Sequence, residues 1–243
     1  VANEFRVGGV AAMAVALVSL AGCSVERSGS GASDAAQDGT SVGSEASPQA
    51  PDGGSAGSEW VPGAGNEDPS KDIEGIVITE YDAVHALPGQ RVAYEKAPPD
   101  GGRHDPVWAT CNGVVYDTPV RNEHMVHALE HGAVWIAYNA DDVTGDDLDT
   151  LTGLVENQPY LLMSPYPGLD RPISLQAWGH QLKLDDVDDE RIGQFITALR
   201  ENEYTSPEPG ASCDSAGPGF DTTNPPAFEE GPPGPGAAPV GDN

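Results

Sequence analysis

Positive charge is scarce in this chain: 11 Lys and Arg stand against 39 Asp and Glu in 243 residues, for a net charge of −28. Nucleic acids and anionic headgroups are held by clustered Lys and Arg, so neither is expected to bind this surface. Long apolar runs are lacking too. The run at residues 7–20 falls short of the roughly 20 residues a spanning helix needs, and no second segment could span. Several catalytic signatures are missing. Ser164 has no Gly-x-Ser-x-Gly elbow, and no glycine loop with a following lysine could cradle phosphate. The acidic run DDVDDE (185–190) lacks the spaced oxygens and glycine of an EF-hand and reads as the acidic start of a helix. A blue-copper Cys-His-Met loop is absent, which excludes electron transfer of that type. No internal repeat is visible.

What is present begins at the N-terminus. Arg6, the apolar run and a terminal LAGC fit a secretory signal over residues 1–22. LAGC resembles the bacterial lipoprotein processing box, which implies lipid on Cys23 and a membrane anchor on the extracytoplasmic face. Of the three cysteines, that leaves Cys111 and Cys213 as an even pair. An oxidising compartment favours a disulfide between them, with a thiolate ligand at Cys111 as the rival. Residues 23–71 are rich in Gly, Ser, Ala and Pro and read as a disordered tether, with Trp60 and Val61 its apolar interruption. A flexible coil of that length spans about 40 Å end to end. Residues 216–243 are a Pro/Gly-rich tail expected to be disordered. One folded domain, 72–215, is left between them.

Within that domain GIVITEY (75–81) and RVAYEK (91–96) read as strands separated by a Pro88–Gly89 turn. PPDGGRHDP (98–106) is a loop. Residues 122–131 form a helix closed by Gly132, and AVWIAYN (133–139) a buried strand. A capped helix follows over 144–158, with leucines at helical spacing. YLLMSPY and ISLQAWGHQLKL are further strands. DDERIGQFITALREN (188–202) is an amphipathic helix with Ile192, Phe195, Ile196 and Leu199 on one face. The order predicts a mixed α/β (α+β) domain, a partly antiparallel sheet packed by about three helices.

Read together, PPDGGRHDPVW, CNGVVYDTPV, VHALEHGAVWIAY, LLMSPYPGL, AWGHQL and SPEPGASC resemble domain-of-unknown-function family 3105, found in bacterial exported and membrane-tethered proteins. The resemblance covers about residues 73–213. It implies a fold and a residue set, not a reaction. The family's Pro-Pro-x-Ser-Gly-x-His occurs here with Gly101 for Ser, which leaves His104 in register. His124 lies outside the VHxLEHG motif.

Three of the six histidines fall in NEHMVHALEHG. At about 100° and 1.5 Å per residue, His124, His127 and His131 share one helix face, but His124 and His131 stand about 10.5 Å apart along the axis. His127 and His131, one turn apart, can share an ion. His104 is the favoured third ligand because Gly101 and Gly102 let its loop approach closely. Met163, His124 and His180 are weaker candidates. Imidazoles suit copper or zinc, and an export signal with Met163 near a strand end puts copper ahead. HALEH also fits H-x-x-E-H, in which Glu130 would be the base of a metal hydrolase. Otherwise Glu130 orients an imidazole or pairs with Arg103 or Arg121. No catalytic residue is assigned outside that hydrolase reading. The expectation is an anchored lipoprotein that binds copper or zinc through His104, His127 and His131. The alternatives are a non-catalytic module for an envelope protein partner, with structural histidines, and the hydrolase.

Overall fold

The computed structural model describes residues 57–214 and 219–241. The signal segment and Cys23 lie outside the described residues. The chain runs through β1 (Val77–Ile78), β2 (Val92–Ala93), β3 (Asn112–Val115), α1 (Asn122–Glu130), β4 (Val134–Tyr138), α2 (Asp146–Val155), β5 (Leu161–Pro165), β6 (Ile173–Ala177), β7 (His180–Leu184), α3 (Arg191–Leu199) and β8 (Ala238–Pro239). Six strands form one sheet in the order β1-β7-β6-β4-β5-β3. Its β3, β5 and β4 run parallel, and the step from β4 through β6 and β7 to β1 is antiparallel throughout. The mixed α+β architecture is as the periodicities predict. Among the described residues no helix is long and apolar enough to cross a membrane.

Strand alternation divides the core in two. Val134, Ile136, Leu161, Met163, Ile173, Leu175, Leu182 and Leu184 face α2 and α3, where Leu151, Val155, Ile192, Phe195 and Leu199 meet them. Each such side chain contributes roughly 1.5–3 kcal/mol on burial. Trp135, Ala137 and Leu162 face the other way, under Met125, Val126 and Leu129 of α1. The helix thus uses one side on the sheet. Its histidine side is covered by loops instead.

Four features depart from the sequence reading. First, ISLQAWGHQLKL is a hairpin. It breaks at Gly179, whose φ is +72°, and a Cβ there would lie 2.5 Å from the Thr79 carbonyl oxygen. Second, β3 has no clear alternation because Gly113 and a register shift interrupt it, while the strands at 75–81 and 91–96 shorten to two residues each. Third, the segment assigned to the tether is structured from Ser58: 3-10 turns span Ser58–Trp60 and Pro69–Asp72, and Trp60 packs on the α2/α3 core while Val61 stays exposed. Fourth, the tail expected to be disordered crosses the domain. Phe220 is buried, Arg121 N–H donates to the Pro226 carbonyl, and β8 pairs in parallel with β2. A Pro/Gly composition does not forbid order when apolar anchors such as Phe220 and Phe228 find a surface.

Cys111 and Cys213 are joined in a disulfide across 102 residues of sequence, which removes the thiolate rival for Cys111. Closing a loop of that length restricts the unfolded chain by up to about 4.7 kcal/mol. A Cys111→Ser/Cys213→Ser variant should therefore lose about 3–5 kcal/mol in urea unfolding. An unchanged midpoint would show that the bridge adds no stability.

Candidate metal centre

α1 is buried along its whole length after Asn122. Its histidine side meets two covering segments, 85–109 and 208–213, whose irregular backbone leaves carbonyl groups to be satisfied. The rings satisfy them. His124 Nδ1–H donates to Val107 O at 2.6 Å, His127 Nδ1–H to Asp105 O at 2.6 Å, and His131 Nδ1–H to Ser212 O at 2.8 Å. The three histidines thus share one face, and each fastens a loop. With Nδ1–H committed, Nε2 carries the lone pair of each ring; that of His124 faces an Arg121 nitrogen.

His104 arrives from the glycine loop. Its Nδ1–H donates to Gly102 O at 2.8 Å, and its Nε2 lies 2.9 Å from Glu130 Oε2. The approach needs both glycines. A Cβ on Gly101 would meet the Tyr81 ring at 2.4 Å, and one on Gly102, at φ +88°, would meet Val240 at 2.5 Å. The serine usual in the family pattern would collide here with Tyr81. His85 lies alongside, brought there by a parallel bridge in which Ala86 N–H donates to His104 O at 2.7 Å and His104 N–H to Val84 O at 3.1 Å.

Glu130 Oε2 is the meeting point. It lies 2.9 Å from His104 Nε2, 3.5 Å from His127 Nε2 and 3.8 Å from His85 Nε2. The Glu130 side chain is 5% exposed and that of His85 51%, so the group is sealed on three sides and open at His85. Burial alone would raise the Glu130 pKa, but the hydrogen bond and charge of His104, with His127 and His85 beside it, outweigh burial and lower it. Burial pulls His127 down to about 3, with the neighbouring His104 and His131 adding to the effect. It is a neutral ring with its lone pair directed at an ionised carboxylate. Burial lowers His131 and His124 as well. For His104 the donor count is decisive. Its Nδ1–H is taken by a carbonyl, so a positive centre has to lie between Nε2 and the carboxylate: a shared proton or a cation.

The structure therefore gathers His85, His104, His127 and Glu130 into a group able to hold a metal ion. It brings His104 and His127 together as the sequence suggests. His131 sits edge-on to His127, with ring centroids 4.7 Å apart, but its ligand atom groups with Glu130 and Glu208. Glu130 stands among the ligand atoms rather than behind an imidazole, and Arg121 is engaged elsewhere, with Asp105 and Glu123. His124 Nε2 lies 3.5 Å from an Arg121 nitrogen, outside the cluster. Met163 and His180 are on the far side of the sheet: Met163 is in the α2/α3 core, and His180 Nε2 faces Asp68 at 3.3 Å. His85 escapes a sequence reading because AVHALPG has no spacing of its own. The pairing of residues 84–86 with His104, which no local pattern announces, is what places it.

Fold and site define a small α+β domain carrying a buried histidine–carboxylate cluster. Residues 85–215, more than half the chain, match the family described as "Protein of unknown function (DUF3105)", and the protein belongs to that family. No curated protein and no solved structure matches it.

The depressed His127 pKa has a stability consequence whose sign is fixed. The unfolded ring, near 6.5, binds a proton that the folded ring refuses until about 3, so protonation favours unfolding across that window. With chelator present, stability should be level above pH 6.5 and fall by up to about 1.4 kcal/mol per pH unit below it for this group alone. His131 and His124 act in the same direction. In His127→Asn the slope between pH 6 and 5, from urea midpoints, should be shallower by about one proton; an identical slope would mean that His127 titrates normally.

Proposed function

We propose that this domain binds a divalent transition-metal ion through His85 Nε2, His104 Nε2, His127 Nε2 and Glu130 Oε2. The observation that carries the reading is the spacing around Glu130. Four ligands at about 2.0–2.1 Å from a tetrahedral ion stand about 3.3 Å apart, and the three nitrogens lie 2.9, 3.5 and 3.8 Å from the carboxylate oxygen. Small ring movements suffice to admit the ion. Each of the two buried rings is held by its Nδ1–H on a backbone carbonyl, the outer support typical of ligating histidines.

Three imidazoles and a carboxylate suit zinc or cupric copper. The preference for copper rests on the export signal and on a thioether from Met163; the sheet separates Met163 from the site, so zinc comes first. His85, half-exposed, is the ligand through which the ion enters and leaves. The H-x-x-E-H hydrolase reading needs Glu130 off the metal as base and His131 on the same ion as His127; the arrangement favours neither. With Cys23 read as a lipid anchor, the centre would be held on the outer face of the membrane. This makes the domain a tethered metal-binding module rather than a protease.

The full chain, purified without a histidine tag and dialysed against zinc and a competing chelator, should retain stoichiometric zinc by elemental analysis. Losing a support behind a ligand weakens binding roughly 10–100-fold, so His104→Ala and His127→Ala should each weaken it by at least about 100-fold. His85→Ala, at the open side, should cost less. A folded wild-type chain that retains neither zinc nor copper would overturn the reading and leave the histidines as loop fasteners.

A further inference from the structure

We infer that Glu130 bridges two cations: a second centre, formed by Glu130, His131 and Glu208, adjoins the first. The inference rests on the first centre binding metal. One ligand atom from each of these three residues lies within 4.8 Å of the others. His131 supplies the independent sign. The residue is 3% exposed, its Nδ1–H is taken by Ser212 O, and its Nε2 has no hydrogen-bond partner among the described residues. That nitrogen is not one of the sealed, unpartnered side-chain atoms of the described residues, so solvent reaches it and a ligand can too. Glu130 has an open oxygen as well. Its Oε2 receives the three rings of the first group, while its Oε1 accepts no hydrogen bond among the described residues.

The segment that brings Glu208 is fixed in place. Glu208 N–H donates to Glu130 O at 3.0 Å and Gly210 N–H to His131 O at 3.2 Å, so 208–210 is laced to the last turn of α1. Three residues further on, the Cys213 disulfide ties it to Cys111. Trp108 spans both groups, with its ring centroid 5.4 Å from that of His127 and 4.8 Å from that of His131, and its Nε1–H donates to Asp214 O at 2.7 Å. Paired ions in such centres stand about 3.5–4 Å apart, a separation one carboxylate can bridge. The second set has two carboxylates and one imidazole, a harder ligand set than the first. Three protein ligands, one of them exposed, leave a position for water or for an oxygen atom of a small anionic ligand.

The test is stoichiometry on the full chain. Wild type dialysed against excess Zn²⁺ should hold two ions. Glu208→Gln, changed at an exposed side chain, should hold one with unaltered near-UV circular dichroism, and His131→Ala should do the same. Loaded with Cu²⁺, wild type should show the broadened, half-field electron paramagnetic resonance of a coupled pair, and Glu208→Gln the spectrum of an isolated ion. One ion in both wild type and Glu208→Gln would overturn the second centre and leave the first standing. Two ions in both variants would overturn its location. No ion in wild type would overturn both centres.

Discussion

The cluster depends on where the Nδ1 protons go. Four rings on two different segments each give that proton to a main-chain carbonyl: His104 to Gly102, His124 to Val107, His127 to Asp105, His131 to Ser212. Each bond contributes roughly 1 kcal/mol. Its larger effect is directional. A ring pinned at Nδ1 has one orientation and one tautomer, so Nε2 points away from the pinning backbone, and for His104 and His127 it points at the Glu130 carboxylate. The carbonyls are available because residues 85–109 and 208–213 are largely irregular and do not exhaust them in ladders. Irregular backbone is here what makes a polar site possible over an otherwise apolar helix.

Irregular segments hold a site only if something else fixes them. Arg121, just before α1, does much of this. It pairs with Asp105 at 2.9 Å and with Glu123 at 3.2 Å, and donates to Gln90 O at 2.7 Å. Asp105 in turn accepts from the Gly89 and Val107 N–H groups, so one carboxylate sets both turns whose residues flank His85 and His104. A buried pair of this kind adds little net stability over an apolar pair, but removing one partner costs about 3–5 kcal/mol. Its role is to specify the loop. On the other side the tail reinforces the same segment: Arg103 N–H donates to Val240 O at 2.7 Å, next to the glycine that carries His104 inward. At the far end of the helix the disulfide fastens the 208–213 strap.

The periodic parts of this architecture were legible in the sequence. Helices α1, α2 and α3 and the strands β4 and β5 have apolar residues at the spacing their burial demands, and Gly132 ends α1 at a φ of +95°. The shared face of His124, His127 and His131 followed from helix geometry alone, and His104 was found through its glycines. What stayed hidden was non-local. His85 reaches the cluster by pairing with His104, and Glu208 by hydrogen bonds to α1. Met163 looked available because a strand gives no hint of which face meets which helix; a one-residue change of phase would have put it under α1. The tail misled through composition, since Phe220 and Phe228 were too few to register against so much Pro and Gly.

The acidity of the chain and the cluster play different parts. Exposed carboxylates bind cations weakly, and their field is screened within about 8 Å at physiological salt. A surplus of 28 negative charges can raise the local concentration of divalent ions and speed their arrival, but it cannot select among them. Selection needs desolvated ligands of fixed type and spacing. Those lie behind His85, where burial keeps His127 neutral down to about pH 3 and so available as a ligand in conditions that would protonate an ordinary histidine. A neutral ring also costs far less to bury than a charged one. The site can therefore sit in the domain with one carboxylate, Glu130, whose charge is met by the proton it shares with His104 or by a cation in its place.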